Sequence, residues 1–540
     1  MYIDSALDLA YSYAAKKCNE EDLQIVATEL RKISDKKDDY AFNDRSIDYS
    51  YSEIQNMLSK LNEKESIRKS KGVYYTPCDV VRFIVANSIK ASYGKLSPDN
   101  ISQEGLEGIP YNSLATKKTV FDPTCGSGEY LLVALEMKVA ALKLHNKTIS
   151  VPMAHKMVST IYGNDINNES IVISKIRLLL CIMRKVGVKA VKGISRVLEP
   201  NFYTYDYIVE NVKNVKYDII VGNPPYVEDY KSGLSLKKKY GNIYANVLIN
   251  ASKQLSTGGS IGFIIPLSYI STPRMVDLRN ELMASVSEQY IMSYADRPDC
   301  LFDSVHQKLC ILVGKQRKSG KRLYTGNYQY WYKDERDELF KNTHVVRNTF
   351  ATDDFIPKLG TSTDVDIYCK ITNEKKYPTV YEVSRNGTES VFLNRREAFW
   401  MKAYRENIDN PEYKVFSFDD DKKADYCYCL INSSLFWWYW IGTSDCWHVS
   451  KGLNGFRAPF NCKYDRASKL ANDLRKRLEE TKVYVVTKQT DYEYKHRDCI
   501  KEIHAIDDYI NELFSLTKEE SQYIKDFAFR YRTSGGVQTK

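Results

Sequence analysis

The sequence predicts an α/β protein: a mixed, mostly parallel sheet covered by helices on both faces, followed along the chain by a region of different character. Three observations carry this. From about residue 70 to 315, short apolar runs alternate with helix-period segments, the rhythm of βαβ units. Two of those runs break abruptly into loops, Asp122-Pro123-Thr124-Cys125-Gly126-Ser127-Gly128 and Gly222-Asn223-Pro224-Pro225-Tyr226. Beyond about 325 the alternation stops, and short mixed segments rich in aromatic residues take over.

Composition bounds the reading. At 540 residues the chain is too long for one ordinary core. No stretch of 18 uncharged apolar residues exists, so no membrane span is expected, and Met1-Tyr2-Ile3-Asp4 does not start a secretion signal. Twelve scattered cysteines fit reduced thiols in a cytoplasmic protein better than a disulfide framework. A net charge of +9 permits a polyanionic partner without demanding one.

Residues 1–65 read as a polar helical extension, with Leu23, Val26, Leu30 and Ile33 near helical spacing. Tyr75-Thr76-Pro77 leads into an amphipathic helix, with Thr76 in the capping position and Pro77 at the first turn. Lys118–Asp122 is a short strand, and a helix is expected from about Glu129 to Leu144. Gly126 and Gly128 let backbone approach a ligand with no Cβ in the way. The third glycine of a dinucleotide fingerprint and the Gly-Lys-Ser/Thr of a phosphate loop are both missing, which disfavours a pyrophosphate and leaves room for a nucleoside with an amino-acid tail. Ser159–Asp165 is a second strand ending in a carboxylate, which suits ribose hydroxyls or a helix cap. Asp206 follows in a third strand-like stretch.

Tyr217–Tyr226 organises the chain. Its first half is a buried strand. In its second half Asn223 and Pro224 each precede a proline and are barred from helical angles, while Pro224 and Pro225 have no N–H to donate. The loop therefore offers acceptors, the Asn223 side-chain oxygen and the Pro224 carbonyl, beside the Tyr226 ring. An exocyclic amino group on a flat ring is the ligand that suits them. A helix over 245–255 stopped by Gly258-Gly259 comes next, then strands at 261–266, 290–294 and 309–313. The basic run 315–322 reads as an exposed linker, and Thr517-Lys518-Glu519-Glu520 as a capping box.

In order and spacing, Tyr75-Thr76-Pro77, Asp122–Gly128, Asp165, Asp206, Asn223–Tyr226 and Phe302 resemble the γ-class adenine-N6 DNA methyltransferases of type II restriction–modification systems. Leu430–Trp438 resembles part of their target-recognition domain. The resemblance implies a Rossmann-like class I methyltransferase domain over 66–325 and an α+β, DNA-binding target-recognition domain over 326–540. It implies S-adenosylmethionine as cofactor, held by Tyr75, Thr76, Pro77, Asp122, Pro123, Cys125, Gly126, Gly128, Asp165, Ile166 and Asp206. Catalysis would fall to Asn223, Pro224, Pro225 and Tyr226, with the flipped base stacked between Tyr226 and Phe302. The partner implied is double-stranded DNA, with a separately encoded restriction endonuclease, because 1–65 is short for a fused nuclease. The expected place is the prokaryotic cytoplasm, at the nucleoid. Readings that share Asn-Pro-Pro-Tyr stay open: cytosine-N4 or RNA-adenine methylation, a modification subunit needing a specificity protein, and a protein glutamine methyltransferase.

For DNA contacts the candidates are Lys237, Lys238 and Lys239, and the basic, aromatic stretch with Lys451, Asn454, Phe456 and Arg457. Cys427, Cys429, Cys446, His448 and Cys462 lack zinc-ligand spacing, and Cys-x-Cys on a strand would turn both thiols to one core face, so no metal is expected. Trp437-Trp438-Tyr439-Trp440 reads as packed core.

Overall fold

The computed structural model describes residues 2–45, 48–61, 75–102, 105–145, 148–210, 214–302, 306–372, 376–384, 387–406, 410–449, 453, 455–460, 464–485 and 492–534. Its centre is a nine-stranded sheet: β1 (Val120–Asp122), β2 (Ile161–Asn164), β3 (Phe202–Tyr203), β4 (Tyr217–Gly222), β5 (Leu255–Pro266), β6 (Glu288–Tyr294), β7 (Leu309–Lys315), β8 (Arg322–Gln329) and β9 (Val346–Arg347). The spatial order is β3-β2-β1-β4-β5-β7-β6-β8-β9. The strands from β3 to β5 run parallel, and β7 is inserted antiparallel between β5 and β6. All but one residue of β4 and every residue of β6 are buried, so inward and outward side chains alike are covered. This is the mostly parallel architecture that the alternation predicts, in the Rossmann-like form that the resemblance implies.

The glycine pair 258–259 lies within β5 and does not stop the preceding helix, which ends at Lys253. The basic run 315–322 is no interdomain linker. Lys315, Arg317 and Arg322 gather around the buried Glu288 carboxylate at 3.7, 2.6 and 3.9 Å. Strands β8 and β9 continue the main sheet, which therefore extends past residue 325 to Arg347.

The N-terminal helices Tyr2–Ala15, Glu20–Ile33 and Tyr51–Lys60 pack on helix Asn168–Lys185 and share its core. Asn19 caps the second helix and a Ser50/Glu53 capping box opens the third. The buried Glu29 carboxylate accepts from Ser195 N and Oγ at 2.9 and 2.7 Å, and Tyr51 donates to Glu136 at 2.9 Å.

The C-terminal region sets a three-stranded antiparallel sheet (Glu389–Asn394, Ala403–Tyr404, Tyr413–Phe418) against helix Asp421–Asn432. Cys427 and Cys429 sit on that helix, not on a strand, and both are fully buried. Helix Ser434–Thr443 carries the tryptophan run into the core, as expected. The buried Arg532 guanidinium lies 4.1 and 4.3 Å from the Trp400 and Trp437 rings. Thr517 and Glu520 form the capping box predicted for the last long helix.

Candidate active site

The carboxyl ends of β1, β2 and β4 meet where strand order reverses between β1 and β4, the place where open α/β sheets bind ligands. β1 ends at Asp122, whose Oδ1 accepts from Thr124 N at 3.0 Å. Asp122 is 1% exposed, and burial, with Asp165 close by, holds its carboxyl well above the usual range. The same causes push up the Cys125 thiol. The turn then closes with Gly128 N donating to Cys125 O at 2.8 Å.

Two glycines shape this turn in different ways. Both are left-handed, Gly126 at φ +51° and Gly128 at +84°. A Cβ on Gly126 would meet no atom within 4 Å, so the turn is open there. A Cβ on Gly128 would lie 2.1 Å from Ser174 Oγ, so Gly128 lets helix Glu129–Leu144 close on helix Asn168–Lys185.

Asp165 follows β2 and braces the turn. Its Oδ2 accepts from Gly126 N and its Oδ1 from Asn167 N, both at 2.9 Å. Ile166 beside it is 69% exposed. Asn164, which sequence reading passes over, knots the strand ends together: its buried amide donates to Pro123 O at 3.0 Å and Tyr205 O at 3.1 Å. An Asn-Asp pair at a strand end looks like a helix-cap signal, which is why the knot is not legible. Asp206 accepts through Oδ1 from Ile208 N and Val209 N at 2.9 and 3.3 Å, so it caps the turn after β3.

Arg177, 1% exposed, holds the turn from behind. It donates to Ser127 O at 2.9 Å, Glu129 Oε2 at 2.7 Å and, from Nε, Gln55 Oε1 at 2.9 Å. An N-terminal helix is thereby tied to the turn, a link without a local sequence signal. Tyr75 lies near Glu129, and burial pushes its phenol up to about 12.

The β4 end completes the arrangement. Asn223 Nδ2 donates to Thr76 Oγ1 at 3.0 Å. This corrects the capping expectation: Pro77 occupies the N-cap position of helix Cys78–Ser92, which has no side-chain cap, and the Thr76 hydroxyl serves Asn223 instead. The bond engages the donor end of the amide and turns its acceptor end away from Thr76. Tyr226 donates to Ile264 O at 2.8 Å and its ring meets Tyr244 edge-on at 6.5 Å. Pro224 is buried, while Asn223, Pro225 and Tyr226 are partly exposed.

Phe302 does not offer an open face. It is 1% exposed within the core, and its segment is clamped by Arg336, which donates to Cys300 O and Leu301 O at 3.1 and 2.9 Å. Phe456 is likewise corrected: it is fully buried, packed against Phe436, Tyr439 and Phe514. Arg457 donates to Tyr377 O at 2.9 Å and lies 3.4 Å from Glu382, a structural pairing. Lys451 and Asn454 lie outside the described residues, as does Cys462. Lys237, Lys238 and Lys239 are exposed, with Lys238 engaged by Asp277 at 3.2 Å and by Glu281. Among the described residues no group of three or more His, Cys, Asp or Glu is placed to hold a metal, and no helix is long and apolar enough to cross a membrane.

Residues 159–298 match the Eco57I restriction-modification methylase family. Two relatives are similar in sequence. One is a putative type II restriction enzyme and methyltransferase of Methanocaldococcus jannaschii, 23% identical over 197 residues, 31% of this chain and 16% of the relative. The other is the type II methyltransferase M.BanIII of Aneurinibacillus aneurinilyticus, 25% identical over 254 residues, 45% of this chain and 37% of the relative. The matched stretches thus span well under half of either relative. Among solved structures, the Type IIL restriction-modification enzyme MmeI in complex with DNA aligns with 89% of this chain and 81% of its own, at 12% identity and a TM-score of 0.49.

Proposed function

We propose that this chain is a DNA methyltransferase of the restriction–modification type, transferring a methyl group from S-adenosylmethionine to N6 of an adenine flipped out of double-stranded DNA. The observation that carries the reading is the Asn223–Thr76 hydrogen bond at the end of β4, beside the glycine turn at the strand-order reversal. The family match over 159–298, which includes Asn223–Tyr226, supports it.

The site fits the cofactor. The space over Gly126 admits the methionine end, and Tyr75, Thr76, Pro77 and the Asp122–Gly128 turn, with Pro123 and Cys125, would hold it. Asp165 would receive the ribose hydroxyls, since each carboxylate oxygen accepts more than one hydrogen bond. Ile166, exposed at the mouth, would lie on the adenine ring, and Asp206 would offer Oδ2 to its amino group. When bound, the cofactor supplies an already activated methyl on a sulfonium, so neither a metal nor a covalent enzyme intermediate is needed.

The difficulty lies in the target amino group, whose lone pair is delocalised into its ring. Thr76 fixes the Asn223 amide so that Oδ1 is presented as an acceptor, and the Pro224 carbonyl is the second. Accepting from both amino hydrogens favours a pyramidal nitrogen and stabilises the positive charge that develops on it. The proline pair keeps both acceptors in place, where small misplacements cost orders of magnitude. Tyr226 stacks on the flipped base, contributing about 1–3 kcal/mol. With Phe302 in the core, the second ring of the stack requires rearrangement of the 300–302 segment on DNA binding. A separately encoded endonuclease of the same specificity is the corresponding partner.

Asn223→Ala tests this. Methyl transfer to DNA should be almost abolished while cofactor affinity is kept, and turnover at the wild-type rate would refute the assignment. Sequencing of modified bases in DNA from cells expressing the chain separates adenine N6 from cytosine N4.

A further inference from the structure

Thr76 holds Asn223, and Thr76 is in turn held from far along the chain. It stands just ahead of helix Cys78–Ser92, whose N-cap is Pro77 and whose first turn has no side-chain cap. A helix entry without a cap is weakly fixed, because no side chain answers its first N–H groups. Yet the Thr76 hydroxyl must stay at 3.0 Å from Asn223 Nδ2 to keep the amide in place. That turn needs another anchor.

The Asp79 carboxylate provides it through Arg336. Asp79 lies three residues past Thr76, in the first turn, and meets a guanidinium fork. Arg336 Nε donates to Oδ2 at 2.8 Å and Nη2 to Oδ1 at 3.2 Å. A two-point ion pair fixes direction as well as distance. The same guanidinium donates to Cys300 O and Leu301 O at 3.1 and 2.9 Å, so it is not free to follow Asp79 if the turn shifts. Its backbone is anchored from the other side. Arg336 opens helix Arg336–Leu339, and the preceding Glu335 accepts from Tyr332 N at 2.8 Å, from the Tyr531 hydroxyl at 2.9 Å and from Arg530. Just beyond that helix, Phe340 stacks on Phe83 of helix Cys78–Ser92 at 4.7 Å. The stacked rings hold the body of the helix, and the fork holds its first turn.

We propose that Arg336 is a positioning residue for methyl transfer: by gripping Asp79 it sets the Thr76 hydroxyl and, through it, the Asn223 acceptor. This rests on the methyltransferase reading above. The catalytic amide is then placed by a line that runs from Glu335 and Arg336 through Asp79 and Thr76 to Asn223, with its far end fastened by Arg530 and Tyr531 of helix Phe529–Thr533. A group that acts only through Thr76 costs no more, when lost, than the Thr76 bond itself.

Asp79→Ala frees the first turn and leaves Arg336 on its two carbonyls, so it separates this route from any effect on the Phe302 segment. Its kcat for DNA methylation should fall about threefold to thirtyfold, with KM for DNA and for S-adenosylmethionine kept. Arg336→Met should fall about as far, and neither substitution should lower kcat further in a Thr76→Val background. A second readout does not depend on turnover. In chain carrying isotope-labelled asparagine, the Asn223 side-chain amide resonance is identified by its absence in Asn223→Ala. It should move in Thr76→Val, in Asp79→Ala and in Arg336→Met. Where wild type methylates DNA, an unchanged kcat in Asp79→Ala overturns the proposal, as do losses that multiply with that of Thr76→Val. An unmoved Asn223 amide in Asp79→Ala overturns it in every case. If Arg336→Met fails to fold, Asp79→Ala carries the test, since the Phe83–Phe340 contact is untouched in it. No methyl transfer by wild type, with the amide moved in Asp79→Ala as in Thr76→Val, would sink the methyltransferase reading and leave the placement of Asn223 by Arg336 standing.

Discussion

Alanine at Gly126 and at Gly128 should damage the protein in two separable ways, although both residues sit in one turn with φ of +51° and +84°. At Gly128 the added methyl would lie 2.1 Å from Ser174 Oγ and 2.9 Å from Ser174 Cβ. Left-handed strain costs about 1–2 kcal/mol and overpacking a buried helix pair about 1–3 kcal/mol. Gly128→Ala should therefore lose about 2–5 kcal/mol of stability. At Gly126 the methyl meets nothing within 4 Å, so only the strain remains, about 1–2 kcal/mol. That open space is where the cofactor's methionine end is proposed to approach the backbone, so Gly126→Ala should weaken S-adenosylhomocysteine binding by tenfold or more. Urea unfolding measures the first effect and titration calorimetry the second. Ser174→Ala added to Gly128→Ala should restore part of the lost stability, because it removes the nearest atom. Undiminished affinity in Gly126→Ala, or a loss below about 1 kcal/mol in Gly128→Ala, would refute the reasoning.

Three further substitutions probe the frame around the site. Thr76→Val deprives Asn223 Nδ2 of its acceptor and should lower kcat about tenfold to a hundredfold with little change in KM for DNA; an unchanged kcat would show that the bond does not position Asn223. Arg177→Met leaves the Glu129 carboxylate, the Gln55 amide and the Ser127 carbonyl without their donor, at a cost of about 3–5 kcal/mol in urea unfolding. Burial pushes the Glu397 carboxyl up to about 8 against an ordinary 4.5, so between those values the folded chain holds a proton that the unfolded chain has lost. Wild-type stability therefore falls as pH rises through that window, and Glu397→Gln should flatten the melting temperature profile there; parallel profiles would contradict it.

The strand ends were the most legible part of the molecule. Apolar runs breaking at Asp122, Asp165 and Asn223 cannot continue as buried strands, and β1, β2 and β4 end at the same edge of the sheet. Helix Glu129–Leu144 and the Thr517 capping box were readable because local spacing alone fixes them. What escaped depends on partners far away in the chain. Thr76-Pro77 is a sound local cap signal, yet the hydroxyl finds Asn223, 147 residues on. A flexible, basic and aromatic composition around Phe456 suggests a nucleic-acid contact, and only the rings of Phe436, Tyr439 and Phe514 show why the residue is core. The run 315–322 is largely exposed as read, but it turns between two strands of the main sheet, and Glu288 gathers three of its cations.

The continuation of the main sheet into β8 and β9 decides where this chain can be recombined with a relative. A chimera joined at residue 325 would cut β8 in half and part Arg336 from Asp79, which it meets at 2.8 Å at the start of helix Cys78–Ser92. A junction after Arg347 keeps all nine strands and that ion pair together in the N-terminal part. Exchange of the C-terminal region should then work as transfer of a module grafted onto an intact sheet edge, and the natural seam lies some twenty residues later than the change in composition suggests.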